Sequence, residues 1–451
     1  MDFRSFNPYT LSIQGTFESH RQKELNKIIK QAKKAFAKWS ALAVSDRVKP
    51  LSLMIAEIKK RKEECAQAIT IEMGKPIIES RLEVEKCITV CSYYLENAEK
   101  HLADQSLDGP GSVNFIRYDP IGGVLGIMPW NFPFWQVFRF AIPTITAGNV
   151  VLCKHAPSVP LCAQLIDDIF QTVYGNLPVY QNLYISEKKV ERILEHSFIQ
   201  GVSLTGSVRA GKAVAAIAGK NLKRTVLELG GSNAFLVFSD ADISKAVKLA
   251  IRGRFGNAGQ SCIAAKRFIV HREIYDEFVN ALAIEIMKLT GGNPLDEQTQ
   301  IGPMARLDLA EQLEKQVLKS VQKGAKLLLG GHRENCFYAP TLLVDVHPGM
   351  PAFDEEIFGP VASIIKAANE EEMINLANQS EFGLGVNLFS ENTSYLNTLV
   401  SRFNEGAVFI NDVVKSDSRL PFGGVKKSGI GRELGVEGIR SFVNIKTVVV
   451  A

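Results

Sequence analysis

Val124-Leu125-Gly126-Ile127-Met128, the turn Pro129-Trp130-Asn131-Phe132-Pro133, and Val150-Val151-Leu152-Cys153-Lys154 after a helical run near 134–147 form the stretch whose reading decides the fold. Two apolar runs, each closed by turn residues and each too short for a helix, predict strands buried on both faces. The helical run between them makes a βαβ unit, whose strands are parallel. Outward along the chain come a helix near 160–174, a strand at 182–185, a helix near 187–195 and a strand at 200–204. Such alternation implies a parallel sheet with helices on both faces, a doubly wound α/β architecture of the nucleotide-binding type. Leu204-Thr205-Gly206-Ser207-Val208-Arg209-Ala210-Gly211 follows and opens a helix at about 209–219. A glycine turn feeding a helix N-terminus offers N–H groups to a pyrophosphate, although Ser207 followed by Gly211 departs from the full Gly-x-Gly-x-x-Gly fingerprint.

Beyond Gly231 the alternation resumes, with strands near 234–238, 267–270, 361–365, 385–389 and 407–410, which reads as a second α/β unit. Upstream, Leu25, Ile28, Ile29, Ala32, Phe36 and Trp39 recur at three and four, the stripe of an amphipathic helix. Segments 46–69 and 77–103 repeat that pattern and predict a helical layer. At Val113-Asn114-Phe115-Ile116-Arg117-Tyr118 the period changes to two, a strand closed by Asp119-Pro120. The segment Ser441 to Val450 is an apolar strand, which left unpaired is an aggregation hazard.

Composition narrows the functional classes. A chain of 451 residues, 46% hydrophobic, supports a large core and two or three domains. Lys and Arg number 52 against 48 Asp and Glu, so a net charge of +4 gives no reason to expect nucleic acid or an anionic membrane as partner. Seven cysteines without a Cys-x-x-Cys pair, and first residues without the apolar core of a signal peptide, point to reduced thiols and a cytoplasmic location. Cys87 and Cys91 lie four apart on a helix, but no His accompanies them, so core packing is preferred to a metal site. Pro143, Thr144, Thr146 and Asn149 interrupt the best candidate for a membrane span.

The chemistry centres on Phe255-Gly256-Asn257-Ala258-Gly259-Gln260-Ser261-Cys262. A nucleophilic thiol needs close backbone approach to the substrate carbonyl, and glycines at 256 and 259 remove obstructing Cβ atoms. A free cysteine is as often a small buried hydrophobe, so context must decide. The context is three further stretches: Pro129-Trp130-Asn131-Phe132-Pro133, Glu228-Leu229-Gly230-Gly231 and Glu355-Glu356-Ile357-Phe358-Gly359-Pro360. With these four in order, the chain resembles the NAD(P)-dependent aldehyde dehydrogenase superfamily, from about Asn7-Pro8 to Pro421-Phe422-Gly423-Gly424 and beyond.

The resemblance implies a Rossmann-like cofactor domain (1–107 and 124–231), a second α/β catalytic domain (232–435) and a small β oligomerisation arm (108–123 and 436–451). It implies that the arm strands pair with a neighbouring subunit in a homodimer or homotetramer. Cys262 would attack the aldehyde, Asn131 and the Cys262 N–H would hold the oxyanion, and Glu228 would activate water. Whether the thiol is activated by a lowered pKa or by a transient base stays open. The cofactor, NADP or NAD, would meet Lys154 at the adenosine ribose, Gly206 and Ser207 with the Gly211 turn at the pyrophosphate, and Trp130 beside it. Glu356 would take the nicotinamide ribose and Phe358 the ring. Relatives carry a glutamate three residues after the lysine; Pro157 here removes an obstacle to a 2′-phosphate, so dual use or a preference for NADP is expected.

For the substrate, Trp135 and Arg139 lie four apart on the helix after the Asn131 turn and share one face. An arginine in an aromatic funnel suits an aldehyde with a carboxylate at its far end, with Ser418, Arg419 and Phe422 closing the opposite wall. The alternative is that Arg139 pairs with an acidic residue at a subunit contact. In its modest length, its Lys154-His155-Ala156 turn and Phe134-Trp135-Gln136-Val137-Phe138-Arg139, the chain is similar to short bacterial succinate-semialdehyde dehydrogenases. The competing readings are medium-chain or aromatic aldehydes, acyl transfer to coenzyme A or phosphate, and a catalytically silent binding or structural protein on the same fold.

Overall fold

The computed structural model describes residues 3–451, so Met1 and Asp2 lie outside the account. Two parallel sheets face each other across the cleft that holds the motifs. The first runs, in spatial order, Gly429–Ile430, Arg224–Glu228, Ile199–Thr205, Gly123–Met128, Val150–His155 and Tyr180–Asn182, with only the edge strand Gly429–Ile430 antiparallel to its neighbour. Its strands are apolar on both faces because helices cover both sides, so continuous Val/Leu/Ile runs replace alternation. The chain moves outward from Gly123–Met128 in one direction and then returns to its other side with Ile199–Thr205. That reversal is the switch point of a doubly wound sheet, where the carboxyl ends of strands diverge and leave a crevice.

The second sheet runs Lys326–Leu329, Thr341–Val344, Val361–Ala367, Ala265–His271, Asn233–Val237, Val386–Phe389 and Val408–Ile410, with only the first antiparallel to its neighbour. Each sheet has its own core, but Phe422, Leu434, Ile439 and Phe442 pack into the core of the first. Together with the edge strand Gly429–Ile430, the segment from 422 to 443 therefore rejoins the first unit after the second is complete.

The helical layer consists of Gln22–Trp39, Val44–Val48, Pro50–Lys60, Lys62–Met73 and Ile77–Leu102. The expected helix over 46–69 is thus broken, since Pro50 starts a new helix where its missing N–H costs least. The 26-residue helix Ile77–Leu102 packs on Trp135–Thr146, whose residues are all buried. The arm is a three-stranded sheet in which Val443–Val450 pairs antiparallel with Val113–Pro120 of the same chain. The terminal strand is therefore paired on one edge without a neighbouring subunit. Among the described residues no helix is long and apolar enough to cross a membrane, and Cys87 and Cys91 are buried with no metal-binding group around them.

Candidate active site

Cys262 stands at the end of a strained turn. Asn257 and Ala258 adopt φ values of 58° and 49°, left-handed geometry that costs side-chain-bearing residues on the order of 1 kcal/mol each. The turn is held by bonds from three directions. Glu79 of the long helix accepts the Asn257 N–H at 2.8 Å. The Asn257 amide donates to the carbonyls of Asn131 and Gln260, both at 3.0 Å. The fully buried Arg254 guanidinium donates to Gly259 O at 2.8 Å and Gly359 O at 2.6 Å. Gly259 is needed here because its φ is +70° and a Cβ would lie 2.2 Å from the Gly359 carbonyl oxygen. Gly256 differs: a Cβ there would meet only Glu79, at an ordinary 3.7 Å. Gly259 thus admits the neighbouring turn, while Gly256 borders the cleft beside Cys262.

Asn131 lies beside this turn, 5% exposed, with its amide donating to Gln260 O at 3.0 Å. One N–H of that amide is so used and the second is available. The helix that follows begins where Glu83 accepts the N–H groups of Phe134 and Trp135 at 2.9 and 3.1 Å, so a remote carboxylate caps it. Lys75 pairs with Glu83 in full burial and lies 3.9 Å over the Phe132 ring.

Glu228 ends the strand Arg224–Glu228 and is 2% exposed, its two carboxylate oxygens without a hydrogen-bond partner among the described residues. Burial, then the nearby Glu433, push its pKa well above the usual carboxylate range. Arg139 forms a buried ion pair with Glu433 and donates to Thr205 Oγ1 at 3.3 Å. Burial pushes the Cys262 thiol up to about 11, opposed chiefly by the positive charges of Lys266 and Arg139.

On the cofactor side, Trp130 and Phe358 come from facing units and meet edge to face at 5.8 Å. Lys154 is buried at the carboxyl end of its strand; its ammonium donates to His155 O at 3.2 Å and has no carboxylate partner among the described residues. Ser207 caps the helix Val208–Lys220, accepting the Ala210 N–H at 3.3 Å. At Gly206 a Cβ would find nothing nearer than 3.6 Å, so open space lies before that helix N-terminus, whereas at Gly211 it would strike Leu229 at 2.6 Å. Pro157 is exposed and brings no negative charge to the Lys154 turn. A spare buried ammonium, a free helix N-terminus and no acidic residue at 157 fit a dinucleotide with a 2′-phosphate. Glu356 accepts the Gly231 N–H at 2.9 Å, and a Cβ at Gly230 would lie 2.4 Å from the same carboxylate, so the glycine pair admits it.

A cleft beside the Cys262 turn is lined by Cys262, Trp135, Arg139 and Phe422, with the Arg139 guanidinium 4.8 Å over the Phe422 ring. The expected wall of Ser418 and Arg419 is corrected. Asp417 accepts the Arg419 N–H at 2.9 Å in a side-chain-closed turn that carries Arg419 out to 76% exposure, forked on Asp417. Ser418 is buried outside the cleft, and Val413 to Ser416 form that wall instead. The acidic partner of Arg139 is Glu433 of the same chain rather than a residue at a subunit contact.

Sequence reasoning missed Lys86. It lies in the cleft 4.3 Å over the Trp135 ring, donates to Ser416 Oγ at 2.6 Å, and has no carboxylate partner among the described residues. Burial, then the nearby Arg139, lower its pKa to about 8. Its signal was present: Glu79, Glu83 and Lys86 recur at helical spacing on the side of the helix that also carries buried Val84, Cys87 and Val90.

The chain belongs to the aldehyde dehydrogenase family, whose model matches residues 1–448. It is 43% identical over 454 residues, the whole of both chains, to the probable succinate-semialdehyde dehydrogenase [NADP(+)] of Synechocystis sp.. With the succinate semialdehyde dehydrogenase [NAD(P)+] of Escherichia coli it shares 44% identity, covering 94% of this chain and 93% of that one. In structure it is similar to succinic semialdehyde dehydrogenase from Streptococcus pyogenes in complex with NADP+, with a TM-score of 0.97, 33% identity and 99% of each chain covered.

Proposed function

We propose that the protein oxidises succinate semialdehyde to succinate with NADP or NAD and water. The observation that carries this reading is the half-buried Lys86 beside the buried Arg139 in one aromatic-walled cleft with Cys262. Arg139 is paired with Glu433 behind the cleft and Lys75 with Glu83, whereas Lys86 meets only a hydroxyl and an indole, so the cleft holds one cation without a carboxylate partner among the described residues. A carboxylate at the far end of a short aldehyde supplies the missing negative charge. The names of the relatives point the same way.

In this reading the Cys262 thiolate attacks the aldehyde carbon and the carbonyl pair moves to oxygen. The free N–H of Asn131 and the Cys262 backbone N–H stabilise that oxyanion, a contribution of roughly 3 kcal/mol per donor at such sites. The cofactor, when bound, would supply a nicotinamide as the acceptor of the hydride. Lys154, Ser207 and Gly206 would hold its adenosine half, and Glu356 and Phe358 the other. Glu228 then takes a proton from water as that water attacks the Cys262 thioester, and the thiolate leaves. Its desolvated setting makes it a better base than an exposed carboxylate. The same glutamate favours water over coenzyme A or phosphate as acyl acceptor. The protein acts in the cytoplasm as a homodimer or homotetramer, the arm sheet adding to a neighbour's sheet through the free edge of Val443–Val450.

The test is reduced-nicotinamide absorbance with succinate semialdehyde and butanal at matched low concentrations, using NADP and NAD in turn. A preference of about 100-fold for the carboxylated aldehyde is expected from two charge-assisted contacts. Equal or reversed preference would make the enzyme a general aldehyde dehydrogenase.

A further inference from the structure

A lysine lies under the nucleophile where an apolar strand should carry a hydrophobe. Lys266 is in the strand Ala265–His271, and its side chain is fully buried. The pairing with Asn233–Val237 explains how it gets there: Asn233 pairs with Ala265 but Ala234 with Arg267, so Lys266 is the extra residue of a bulge. A bulge re-aims the side chain it carries. Here the ammonium group turns under the nucleophile turn, while Arg267 binds Ser232 O and the last carbonyls of the helix Glu370–Asn378.

Three acceptors surround the Lys266 ammonium group. They are Ser261 O at 2.8 Å, Cys262 O at 2.9 Å and a Glu356 carboxylate oxygen at 3.5 Å. An ammonium group has three N–H donors and a neutral amine has two, so this set is filled only by the charged form. One cation thus touches the peptides of the nucleophile and the carboxylate that the cofactor side presents. The ring of Phe358 is 5.9 Å from the same nitrogen.

We propose that Lys266 is a positioning residue for the reaction: its ammonium group fixes the Ser261 and Cys262 carbonyls against Glu356 and supplies the charge that favours the Cys262 thiolate. This rests on Cys262 being the nucleophile. Other charges act on the same pair. Arg139 also favours the thiolate, whereas Glu356 and Glu228 oppose it. Burial lowers the Lys266 pKa to about 8, with Glu356 and Cys262 favouring the charged form and Arg254 opposing it. Lys266 is the cation hydrogen-bonded to the cysteine's own peptide, and Arg139 is tied to Glu433.

The experiment measures the rate of iodoacetamide alkylation against pH in the cofactor-free enzyme. Cys262 is half-buried and the other cysteines are buried, so one site reports. Lys266→Gln retains two N–H donors for the two carbonyls and removes the charge. It is expected to slow alkylation about tenfold below about pH 8, where Lys266 carries its charge, with little change in Tm. An unchanged rate below about pH 8 in a folded Lys266→Gln protein overturns the proposal. Lys266→Arg, which keeps the charge, is expected to alkylate there within about threefold of the parent; a slowing of about tenfold also overturns it, whether or not the Gln variant folds. Cys262→Ala separates the two readings: if it retains dehydrogenase activity, the assignment of the nucleophile fails independently of Lys266.

Discussion

The two walls that meet at Cys262 both contain buried cations, held in opposite ways. On the cofactor side Arg254 and Lys266 direct their donors into backbone carbonyls, and each joins the nucleophile turn to the Glu356–Gly359 turn. On the opposite wall Lys86 bonds one hydroxyl and covers one indole, and Arg139 bonds Glu433 and Thr205. Donors committed to the main chain set geometry, since no ligand can compete for them without breaking the fold. Cations without a full set of acceptors are open to a ligand. On the proposed function, the first wall would serve chemistry common to any aldehyde, and the second would select which aldehyde enters.

The largest expected effect lies where the walls join. Glu228→Gln should lower the steady-state rate by about 10²- to 10⁴-fold while leaving the first turnover of nicotinamide reduction in place. Stopped-flow absorbance checks this, and loss of the first turnover would mean that Glu228 acts before the thioester. The pH dependence has a definite sign. Burial holds the Glu228 proton well above the usual carboxylate range, so the base form is lost as pH falls through that raised value. The parent rate should decline on the acid side at a higher pH than an ordinary glutamate would produce, and the Gln variant should lack that limb.

Next in size is the substrate wall. Lys86→Met removes a charge-assisted contact and should lower kcat/KM for succinate semialdehyde by about 10- to 100-fold, with a change of about twofold for butanal. Arg139→Ala is a poorer probe. It leaves Glu433 buried and unpaired, which costs on the order of 3–5 kcal/mol of stability, so a fall in Tm would accompany any kinetic change. Equal losses for both aldehydes in the Lys86 variant would remove the distinction between the walls.

The legible part of the molecule is the part built from one kind of interaction. Buried parallel strands such as Gly123–Met128 and Val150–His155 are apolar runs, and their turns carry Pro, Gly and Asn, so sequence and structure agree within a residue. The strand Arg224–Glu228 escaped notice because its first two residues are polar and solvent-facing, and only three buried positions remain to carry a pattern. The hairpin Phe3–Asn7 with Ser12–Phe17 is mostly exposed along its second strand and has no apolar run. Cys262 and Asn131 stand in glycine- and proline-framed turns and could be found. Lys266 could not, since a lysine within an apolar strand reads as an outward-facing residue until a bulge turns it in. Arg419 was misplaced by proximity to Phe422; Asp417, two residues earlier, was the sign of the turn that carries it outward.

That turn gives the smallest effect and the finest test. Arg419 is forked on Asp417 and holds its carboxyl down to about 2 through the side-chain bond. An exposed pair of this kind is screened by solvent and adds little to stability, so Arg419→Ala should leave Tm nearly unchanged and butanal kinetics within about twofold of the parent. Asp417 also acts on Lys86, favouring its charged form. Once freed from Arg419 it competes more strongly for that cation. Any loss beyond twofold should therefore appear in KM for succinate semialdehyde alone, and it should vanish in the Lys86→Met background, where no cation remains to be contested. A tenfold loss that persists in that background would mean that Arg419 itself reaches the substrate, and the exposed rim would then belong to the selecting wall.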